Sequence, residues 1–299
     1  MEIGFVGLGK MGMNMVTRLR RGNGHRVVAC DRVPALIAKA EETGAVGAAS
    51  LEELVATLAR PRIVWVMVPS GPPTENTIRT LGELLEPDDV IVDGGNTQFH
   101  DDVRRAATLK DKRIHYVDAG TSGGIWGLEV GYCLMVGGDH DVVNRIAPIL
   151  TTLAPEDGWA RVGGHGAGHY VKMVHNGIEY SMMQSYAEGF ELMSRSDYKL
   201  DLSNIADLWM HGSVVRSWLL ELGASTLKED PTLKGLQGYV HDSGEGRWML
   251  MEALDKDVPV PTLSAALFTR FRSRQDEPFS EKMLAALRQA FGGHSVKRK

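Results

Sequence analysis

The sequence predicts an α/β domain with a mainly parallel sheet, followed by an all-α domain. Apolar, strand-like runs alternate with helical patterns up to about residue 164, which is typical of a parallel sheet covered by helices. A glycine-rich turn follows the first of these runs, and from about His165 onward only helical periodicity remains. The two domains are therefore predicted at 1–164 and 165–299, with the boundary in the glycine-rich segment Gly163 to Gly166.

The individual elements follow from the spacing of apolar residues. Strands are predicted over 2–7, 26–30, 63–68, 90–93, 114–119 and 132–136, and helices over 13–19, 34–42, 51–58 and 144–153. In the second domain, helices are predicted over 167–195, 202–210, 247–254, 262–274 and 281–291. The last helix stops at Gly292-Gly293 and is followed by a short basic tail, His294 to Lys299.

The glycine-rich turn has the spacing Gly7-x-Gly9-x-x-Gly12 and lies between the first strand and the first helix. Gly7 allows the tight turn, Gly9 lets the backbone approach a pyrophosphate, and Gly12 permits close packing of helix and strand. A second apolar strand ends at Asp31, at about the distance expected for an acidic residue that binds the adenosine ribose. These features predict a Rossmann-type dinucleotide-binding domain rather than an ordinary turn. The residues predicted to contact the cofactor are Gly7, Leu8, Gly9, Lys10, Met11, Gly12, Asp31, Arg32, Val68, Pro69, Ser70 and Asn96.

Asp31 also indicates which dinucleotide is bound. A carboxylate accepts hydrogen bonds from the ribose hydroxyls and repels a 2′-phosphate, which favours NAD over NADP. The neighbouring Arg32 is compatible with either cofactor, because a guanidinium can stack on adenine or reach a 2′-phosphate. NAD is therefore the predicted cofactor, and the strength of the preference is left open.

Composition excludes several classes of partner. With 299 residues, 43% of them hydrophobic, the chain can bury a sizeable core, and a net charge of -5 argues against general attraction to nucleic acid or anionic membranes. Cys30 and Cys133 lie in strand-like contexts and are predicted to be buried thiols in a reducing compartment. Because the chain has neither a signal-peptide pattern nor an apolar run of membrane-spanning length, a cytoplasmic location is expected. His165 and His169 have an i, i+4 spacing without the further ligands of a metalloenzyme, so no metal site is predicted.

One predicted helix carries an unusual polar face. At about 100° per residue, Lys172, His175, Asn176 and Glu179 fall on one side, while most of the remaining surface is apolar. Such a stripe is either a solvated face or a set of buried groups that a partner or a ligand must satisfy. Three loops with glycine, serine or asparagine, at 69–71, 94–97 and 120–124, follow successive strands, and loops of this kind are either tight turns or the lining of a ligand crevice.

Four segments, taken in order, resemble 6-phosphogluconate dehydrogenases. They are Gly7-Leu-Gly9-Lys-Met-Gly12-x-Asn14, Asp93-Gly94-Gly95-Asn96, Ser122-Gly123-Gly124 and Lys172-x-x-His175-Asn176-Gly177-Ile178-Glu179-Tyr180. The run from His175 to Tyr180 is the specific part, since the nucleotide motif and the serine-glycine motif are shared with the wider β-hydroxyacid dehydrogenase superfamily. The resemblance covers nearly the whole chain, which looks like a short form that lacks most of the long second half of the helical domain.

The resemblance implies oxidative decarboxylation of 6-phosphogluconate to ribulose 5-phosphate and carbon dioxide in the pentose phosphate pathway. It implies that Lys172 is the general base and Glu179 the acid. Arg288 and His294 match a terminal motif that reaches into a neighbouring subunit, so a homodimer or homotetramer with shared active sites is expected. The residues that the resemblance assigns to the phosphorylated sugar acid are Asn96, Ser122, Gly123, Gly124, His175, Asn176, Tyr180, Arg270, Arg288 and His294.

One departure bears on the substrate. Where the family usually has Lys-Gly-Thr-Gly-Lys-Trp, with the lysine and threonine on the phosphate, this chain reads Ser243-Gly244-Glu245-Gly246-Arg247-Trp248. A glutamate near a dianionic phosphate repels it unless it points away or pairs with Arg247. Two other hypotheses therefore stay open: a β-hydroxyacid dehydrogenase that acts on a small unphosphorylated acid, and a non-catalytic dinucleotide sensor.

Overall fold

The structure is a computed structural model that describes residues 1–21 and 24–298. Contacts divide the chain into two compact units, Met1–His175 and Asn176–Lys299. The division falls inside one long helix, and the boundary predicted between residues 164 and 165 stays a prediction.

The first unit contains eight strands and seven complete α-helices within the described residues, and it also holds the start of the long helix. The strands are β1 (Glu2–Val6), β2 (Arg26–Cys30), β3 (Val46–Ala48), β4 (Ile63–Val66), β5 (Val90–Asp93), β6 (His115–Ser122), β7 (Cys133–Gly138) and β8 (Trp159–Gly163). The helices are α1 (Lys10–Arg20), α2 (Pro34–Glu41), α3 (Leu51–Thr57), α4 (Pro72–Leu84), α5 (Phe99–Lys110), α6 (Gly127–Val130) and α7 (His140–Leu153).

The strands form one sheet in the order β3-β2-β1-β4-β5-β6-β7-β8. All neighbouring pairs are parallel except β6 and β7, so the predicted α/β class with a mainly parallel sheet is confirmed. The connection from Ser122 to Cys133 is shorter than the dozen or so residues that a parallel crossover requires, which explains the reversed strand. The order of the strands reverses between β1 and β4, the place where ligands bind in such sheets.

Both faces of the sheet are covered by apolar side chains. On β4, Ile63 and Trp65 pack into one cluster with residues of α1 and α7, while Val64 and Val66 pack into another with residues of α3, α4 and α5. Because successive side chains of a strand point to opposite faces, a strand buried on both sides is apolar throughout. The helices cover the faces of the sheet, so loops lie at the carboxyl ends of the parallel strands. Those loops contain the candidate site.

The second unit is all-helical, as predicted. Its elements are the continuation of α8 (Ala167–Ser194), α9 (Leu202–Met210), α10 (Trp218–Glu229), α11 (Glu245–Asp255), α12 (Pro261–Ser273) and α13 (Phe279–Gly292). A small core forms around Tyr180, Leu263, Ala266 and Leu267. α13 buries none of its residues. No helix in the described part of the chain is both long and apolar enough to cross a membrane.

Several elements were not predicted, and two of them have a local pattern that is misleading or weak. α4 starts with two prolines after Gly71, a pattern typical of a loop, although proline is tolerated in the first turn of a helix. β8 is an edge strand with mostly exposed residues, so it has no apolar pattern. α5, α6, α10 and the three-residue β3 were also missed. The prediction of two buried thiols was half wrong: Cys30 is buried, but Cys133, the first residue of β7, is exposed.

Candidate active site

The glycine-rich turn forms a cradle at the end of β1. Gly7 has a φ of +99°, and a Cβ atom on Gly12 would lie 2.0 Å from the Gly7 carbonyl oxygen, so neither position accommodates a side chain. A Cβ atom on Gly9 would meet nothing within 4 Å, which leaves open space beside the backbone. α1 begins at Lys10, directly after this turn, and its free amide groups favour a phosphate there.

A cavity of about 650 Å³ lies along this turn, between the ends of β1, β2 and β4. Its position at the reversal of strand order fits a dinucleotide. The Leu8 side chain is buried in the core, and neither Ser70 nor Asn96 lines this cavity. Of the residues predicted to contact the cofactor, the cavity is lined by Gly7, Gly9, Lys10, Met11, Gly12, Asp31, Arg32, Val68 and Pro69.

Asp31 is held rigidly at the end of β2. One carboxylate oxygen accepts the Leu8 backbone N–H at 2.7 Å, and the other accepts the Val33 N–H at 2.9 Å. An ionised carboxylate has about four lone-pair sites, so further hydrogen bonds from ribose hydroxyls fit beside these two. Arg32 next to it is exposed.

The carboxyl end of β6 meets the first turns of α8 in the first unit. Gly120 lies so close to this helix that a Cβ atom on it would be 2.5 Å from the Lys172 Cβ. Two residues on, the Ser122 hydroxyl lies 3.3 Å from Nε2 of His175. Gly123 and Gly124 follow with φ angles of +136° and +53°, and they turn the chain away from the strand. The structure therefore brings together the predicted base and the predicted carboxylate-binding residues.

The start of α8 is anchored by buried carboxylates. Asp118 of β6 accepts the Gly166 N–H at 2.7 Å and the His169 N–H at 3.1 Å, which satisfies two amides at the helix terminus. The His169 ring is buried, and its Nδ1 lies 2.8 Å from the carboxylate of Asp102 on α5. Burial alone lowers the pKa of His169, but Asp102, Asp93 and Asp118 outweigh it and raise the pKa to about 9. Burial raises the pKa of Asp102, and the attraction of His169 opposes this rise.

The atoms of Asp93, Asp102 and His169 lie within 4.8 Å of one another, a separation that would suit a metal ion. However, the Asp93 carboxylate already accepts from the Thr97 hydroxyl at 2.8 Å and faces the Arg105 guanidinium at 3.3 Å. That guanidinium supplies the positive charge that a metal would bring. The prediction of no metal site stays a prediction. Sequence reasoning missed this cluster, although a carboxylate within an apolar strand is a signal that a partner must be present.

In the second unit, Tyr180 stands at the centre of a basic cluster. Its hydroxyl accepts the Ser243 N–H at 3.1 Å, and the guanidinium of Arg270 lies 3.7 Å above its ring. Arg270 also donates to the His241 carbonyl at 3.1 Å. A guanidinium held over an aromatic ring in this way keeps its remaining N–H groups available in a fixed direction.

The segment from Ser243 to Trp248 departs from the family pattern, and its two charged residues have different partners. Arg247 forms a two-point ion pair with Asp242, at 2.8 and 3.1 Å, and lowers the pKa of that carboxyl. Glu245 does not pair with Arg247. It is buried at the start of α11, where one oxygen accepts the Asn176 side-chain N–H at 2.6 Å. Since Arg274 also pairs with Asp242, guanidinium groups outnumber carboxylates on this side of the cluster.

Three further predicted site residues lie in the second unit. Glu179 is half-buried on α8 in the second unit. Arg288 is exposed on α13, and His294, which follows that helix, is exposed as well. The predicted role of these two residues in a neighbouring subunit stays a prediction.

Comparisons with known proteins identify the family of both domains. Residues 2–164 match the NAD binding domain of 6-phosphogluconate dehydrogenase, and residues 168–282 match its C-terminal domain. A Haloferax volcanii protein named 6-phosphogluconate dehydrogenase, NAD(+)-dependent, decarboxylating is 43% identical over 301 residues, covering 100% of this chain and 99% of the relative. A Bacillus subtilis protein of the same name is 37% identical and covers 95% of this chain, which spans 63% of that longer relative.

A solved structure of Plasmodium falciparum 6-phosphogluconate dehydrogenase superposes with a TM-score of 0.84 at 29% identity, covering 100% of this chain and 66% of the Plasmodium chain. The 3-hydroxyisobutyrate dehydrogenase of Mycobacterium tuberculosis has a TM-score of 0.72 at 22% identity, and this likeness shows the fold alone. The two matched domains, the dinucleotide crevice and the lysine at the end of β6 occur together in one chain, which therefore belongs to the 6-phosphogluconate dehydrogenase family, a family of decarboxylating dehydrogenases.

Proposed function

We propose that the protein oxidises 6-phosphogluconate to ribulose 5-phosphate and carbon dioxide, with hydride transfer to NAD. The observation that carries this proposal is the packing of Lys172 against Gly120, near the carboxyl end of β6. β6 is parallel to β5, β4 and β1, so this lysine lies at the same edge of the sheet as the glycine-rich turn. An amine at the edge of the sheet that carries the dinucleotide crevice is a suitable general base for the oxidation of an alcohol.

In this proposal Lys172 removes the proton of the C3 hydroxyl while the hydride leaves C3. NAD, when bound, supplies the acceptor for that hydride. The resulting 3-keto acid loses carbon dioxide from C1, and the protonated Lys172 returns its proton to the oxygen on C3, which gives an enediol. Glu179, about two turns further along α8, then protonates the carbon left by carbon dioxide, while Lys172 takes back the proton of the hydroxyl on C3, which leaves the ketone of ribulose 5-phosphate. Each turnover therefore transfers one hydride to NAD and releases one carbon dioxide and one sugar phosphate.

In the proposal, each part of the substrate is bound by side chains of complementary charge or hydrogen-bonding capacity. Ser122, Gly123, Gly124 and His175 receive the carboxylate, and Asn96 and Asn176 receive hydroxyl groups. Tyr180 and Arg270 receive the phosphate, because the stacked guanidinium offers a bidentate donor and the arginines of this cluster outnumber its carboxylates. One oxygen of the buried Glu245 accepts the Asn176 side-chain N–H, so that oxygen is paired within the protein.

The preference for NAD rests on Asp31. Its carboxylate is fixed by two backbone amides at the place where the ribose hydroxyls of the adenosine would lie, and a 2′-phosphate there would meet a negative charge. The names of the Haloferax and Bacillus relatives agree with this preference. The cytoplasmic location and the place in the pentose phosphate pathway belong to the same proposal.

A homodimer or homotetramer with shared active sites is part of the proposal. α13 presents an apolar stripe to solvent, with Phe279 80%, Met283 47%, Leu287 50% and Phe291 83% exposed. These residues recur about every four positions along one side of the helix. A second copy of the chain would cover this stripe, and it would bring Arg288 and His294 to a neighbouring site.

A kinetic matrix tests the proposal. NAD and NADP are each paired with 6-phosphogluconate, gluconate and small 3-hydroxy acids, while reduced cofactor and carbon dioxide are both followed. We expect one carbon dioxide per NADH with 6-phosphogluconate, and the largest kcat/KM with NAD. Reduced cofactor without carbon dioxide would favour the small-acid dehydrogenase, and NAD binding without turnover on any acid would favour the sensor.

Two variants test the proposed proton transfers. Lys172→Met and Glu179→Gln should each lower kcat by about 10²- to 10⁴-fold, the usual contribution of a positioned acid or base. Glu188→Gln is the matched control, because Glu188 lies on the exposed part of the same helix. Near-normal turnover by folded Lys172→Met would remove the base from the mechanism.

A further inference from the structure

We infer that His169 is a positioning residue that ties the helix carrying Lys172 to the loop carrying Asn96, an inference that rests on the proposed function. His169 is outside the set of residues that the family motifs assign to the reaction. It lies three residues before Lys172 on α8, so the two side chains leave the helix from neighbouring turns on the same side. Only 2% of its surface is exposed, so it acts within the protein and not on the substrate.

The ring bridges two elements that are distant in sequence. Nδ1 lies 2.8 Å from the Asp102 carboxylate on α5, and Nε2 lies 3.1 Å from the Gly95 carbonyl in the loop after β5. A carbonyl oxygen only accepts hydrogen bonds, so Nε2 carries a proton. The bond to Gly95 spans 74 positions of the chain and reaches the residue directly before Asn96.

The loop is held from its other side by Asp93. This carboxylate accepts the Gly95 N–H at 3.0 Å and the Thr97 hydroxyl at 2.8 Å. Asn96 is thereby flanked by two residues that are hydrogen-bonded to buried groups, and His169 supplies the bond that comes from the helix. A shift of the ring would move the peptide before Asn96 and leave the Asp93 bonds intact.

The first turn of α8, which carries His169, is also held in place. The His169 N–H is bonded to Asp118, and a Cβ atom on Gly168 would lie 2.4 Å from the Met135 carbonyl oxygen, so the first turn of α8 lies directly on β6 and β7. Through this turn the backbone of Lys172 is fixed relative to the sheet. The ring of His169 then fixes the Asn96 loop relative to Lys172.

The positive charge of the His169 ring supports its link between α8 and the Asn96 loop. The groups that face it or its carboxylate partners are Asp93, Asp102, Asp118, Tyr116 and Arg105. Three carboxylates against one guanidinium favour the imidazolium, in which both nitrogens donate at once. With a pKa of about 9, the ring holds both bonds at neutral pH. A neutral ring donates from one nitrogen only, so the link weakens as the pH rises through about 9.

His169→Gln tests this role, because glutamine is neutral and is not able to donate to both acceptors in the same geometry. We expect kcat with 6-phosphogluconate to fall about 10- to 100-fold, while the KM for NAD changes less than about twofold, since a displacement near 1 Å at a reacting group has effects of this order. The deuterium isotope effect on kcat with 3-deuterated substrate should rise, because misplaced groups slow the chemical step. His25→Gln is the control: it removes another buried histidine of the same unit, one bonded to Thr152 at 2.8 Å, and should leave kcat unchanged.

A second measurement needs no substitution. In the ¹⁵N-histidine spectrum of the wild-type protein, we expect one imidazolium with both nitrogens protonated at neutral pH, titrating near pH 9 and lost in His169→Gln. A ring without a proton on Nε2 at neutral pH, or His169→Gln with the kcat of His25→Gln, would overturn the inference. If the wild type releases no carbon dioxide from 6-phosphogluconate, the proposed function fails, and the spectrum still decides whether the charged link exists.

Discussion

Gly120→Ala is the sharpest test of the position of Lys172. The new methyl group would lie 2.5 Å from the Lys172 Cβ and 2.7 Å from the Gly168 carbonyl oxygen. Carbon atoms pack at about 3.5–4.0 Å, so α8 or β6 must move by roughly 1 Å. The Lys172 Cβ is rigidly attached to the helix and the other atom belongs to the backbone, so a change of rotamer does not relieve the clash.

The magnitudes follow from this geometry. Overpacking of this kind costs about 1–3 kcal/mol, and a domain of 150–250 residues loses about 2–4 °C in Tm for each kcal/mol. We therefore expect Tm to fall by roughly 2–12 °C. Because the displaced group is the proposed base, kcat should fall about 100-fold, the effect typical of a misplacement near 1 Å.

The assay is the initial rate of NADH formation with saturating 6-phosphogluconate and NAD, together with a thermal unfolding curve. Gly164→Ala is the matched control, because a Cβ atom there would meet nothing within 4 Å. It should keep both the kcat and the Tm of the wild type. If Gly120→Ala retained kcat within about threefold and an unchanged Tm, Lys172 would not be held against β6, and the proposed site would lose its base.

Three further predictions concern other parts of the molecule. Because the pKa of His169 is raised to about 9 from an ordinary value near 6.5, its contribution to stability is complete below about pH 6.5 and lost as the pH rises through 9. The free energy of unfolding in urea should decline over that range, and a wild type with no more decline than His169→Gln would contradict this. Asp31→Ser should raise kcat/KM with NADP relative to NAD by about tenfold or more, and an unchanged ratio would show that Asp31 does not select the cofactor. Leu287→Glu on the apolar stripe of α13 should lower the mass measured by sedimentation, whereas Gln289→Glu on the same helix should not. Equal masses for the two variants would exclude the stripe as an interface.

Much of the architecture follows from short stretches of sequence. The spacing of apolar residues is a local property, so β2 and α9 were predicted at their observed bounds, and α8 was predicted to within a residue. The glycine-rich turn is local too, because its spacing is contained in six consecutive residues and Gly12 packs against Gly7 within it. Elements with a misleading start or a weak pattern, such as α4 and β8, were not predicted, since their stability comes from the sheet they join and not from their own residues.

Some features of the candidate site likewise follow from the sequence, and others depend on the tertiary structure. The sequence alone determined which chemical groups are present: the amine, imidazole, amide and carboxylate of α8, the glycine cradle and Asp31. Only the tertiary structure decided which of them meet, such as His169 with Gly95, and Glu245 with Asn176 rather than with Arg247. The reason is physical: these bonds join residues that are 74 and 69 positions apart, and their partners are selected when buried polar groups must be satisfied during packing, a condition that no short segment contains.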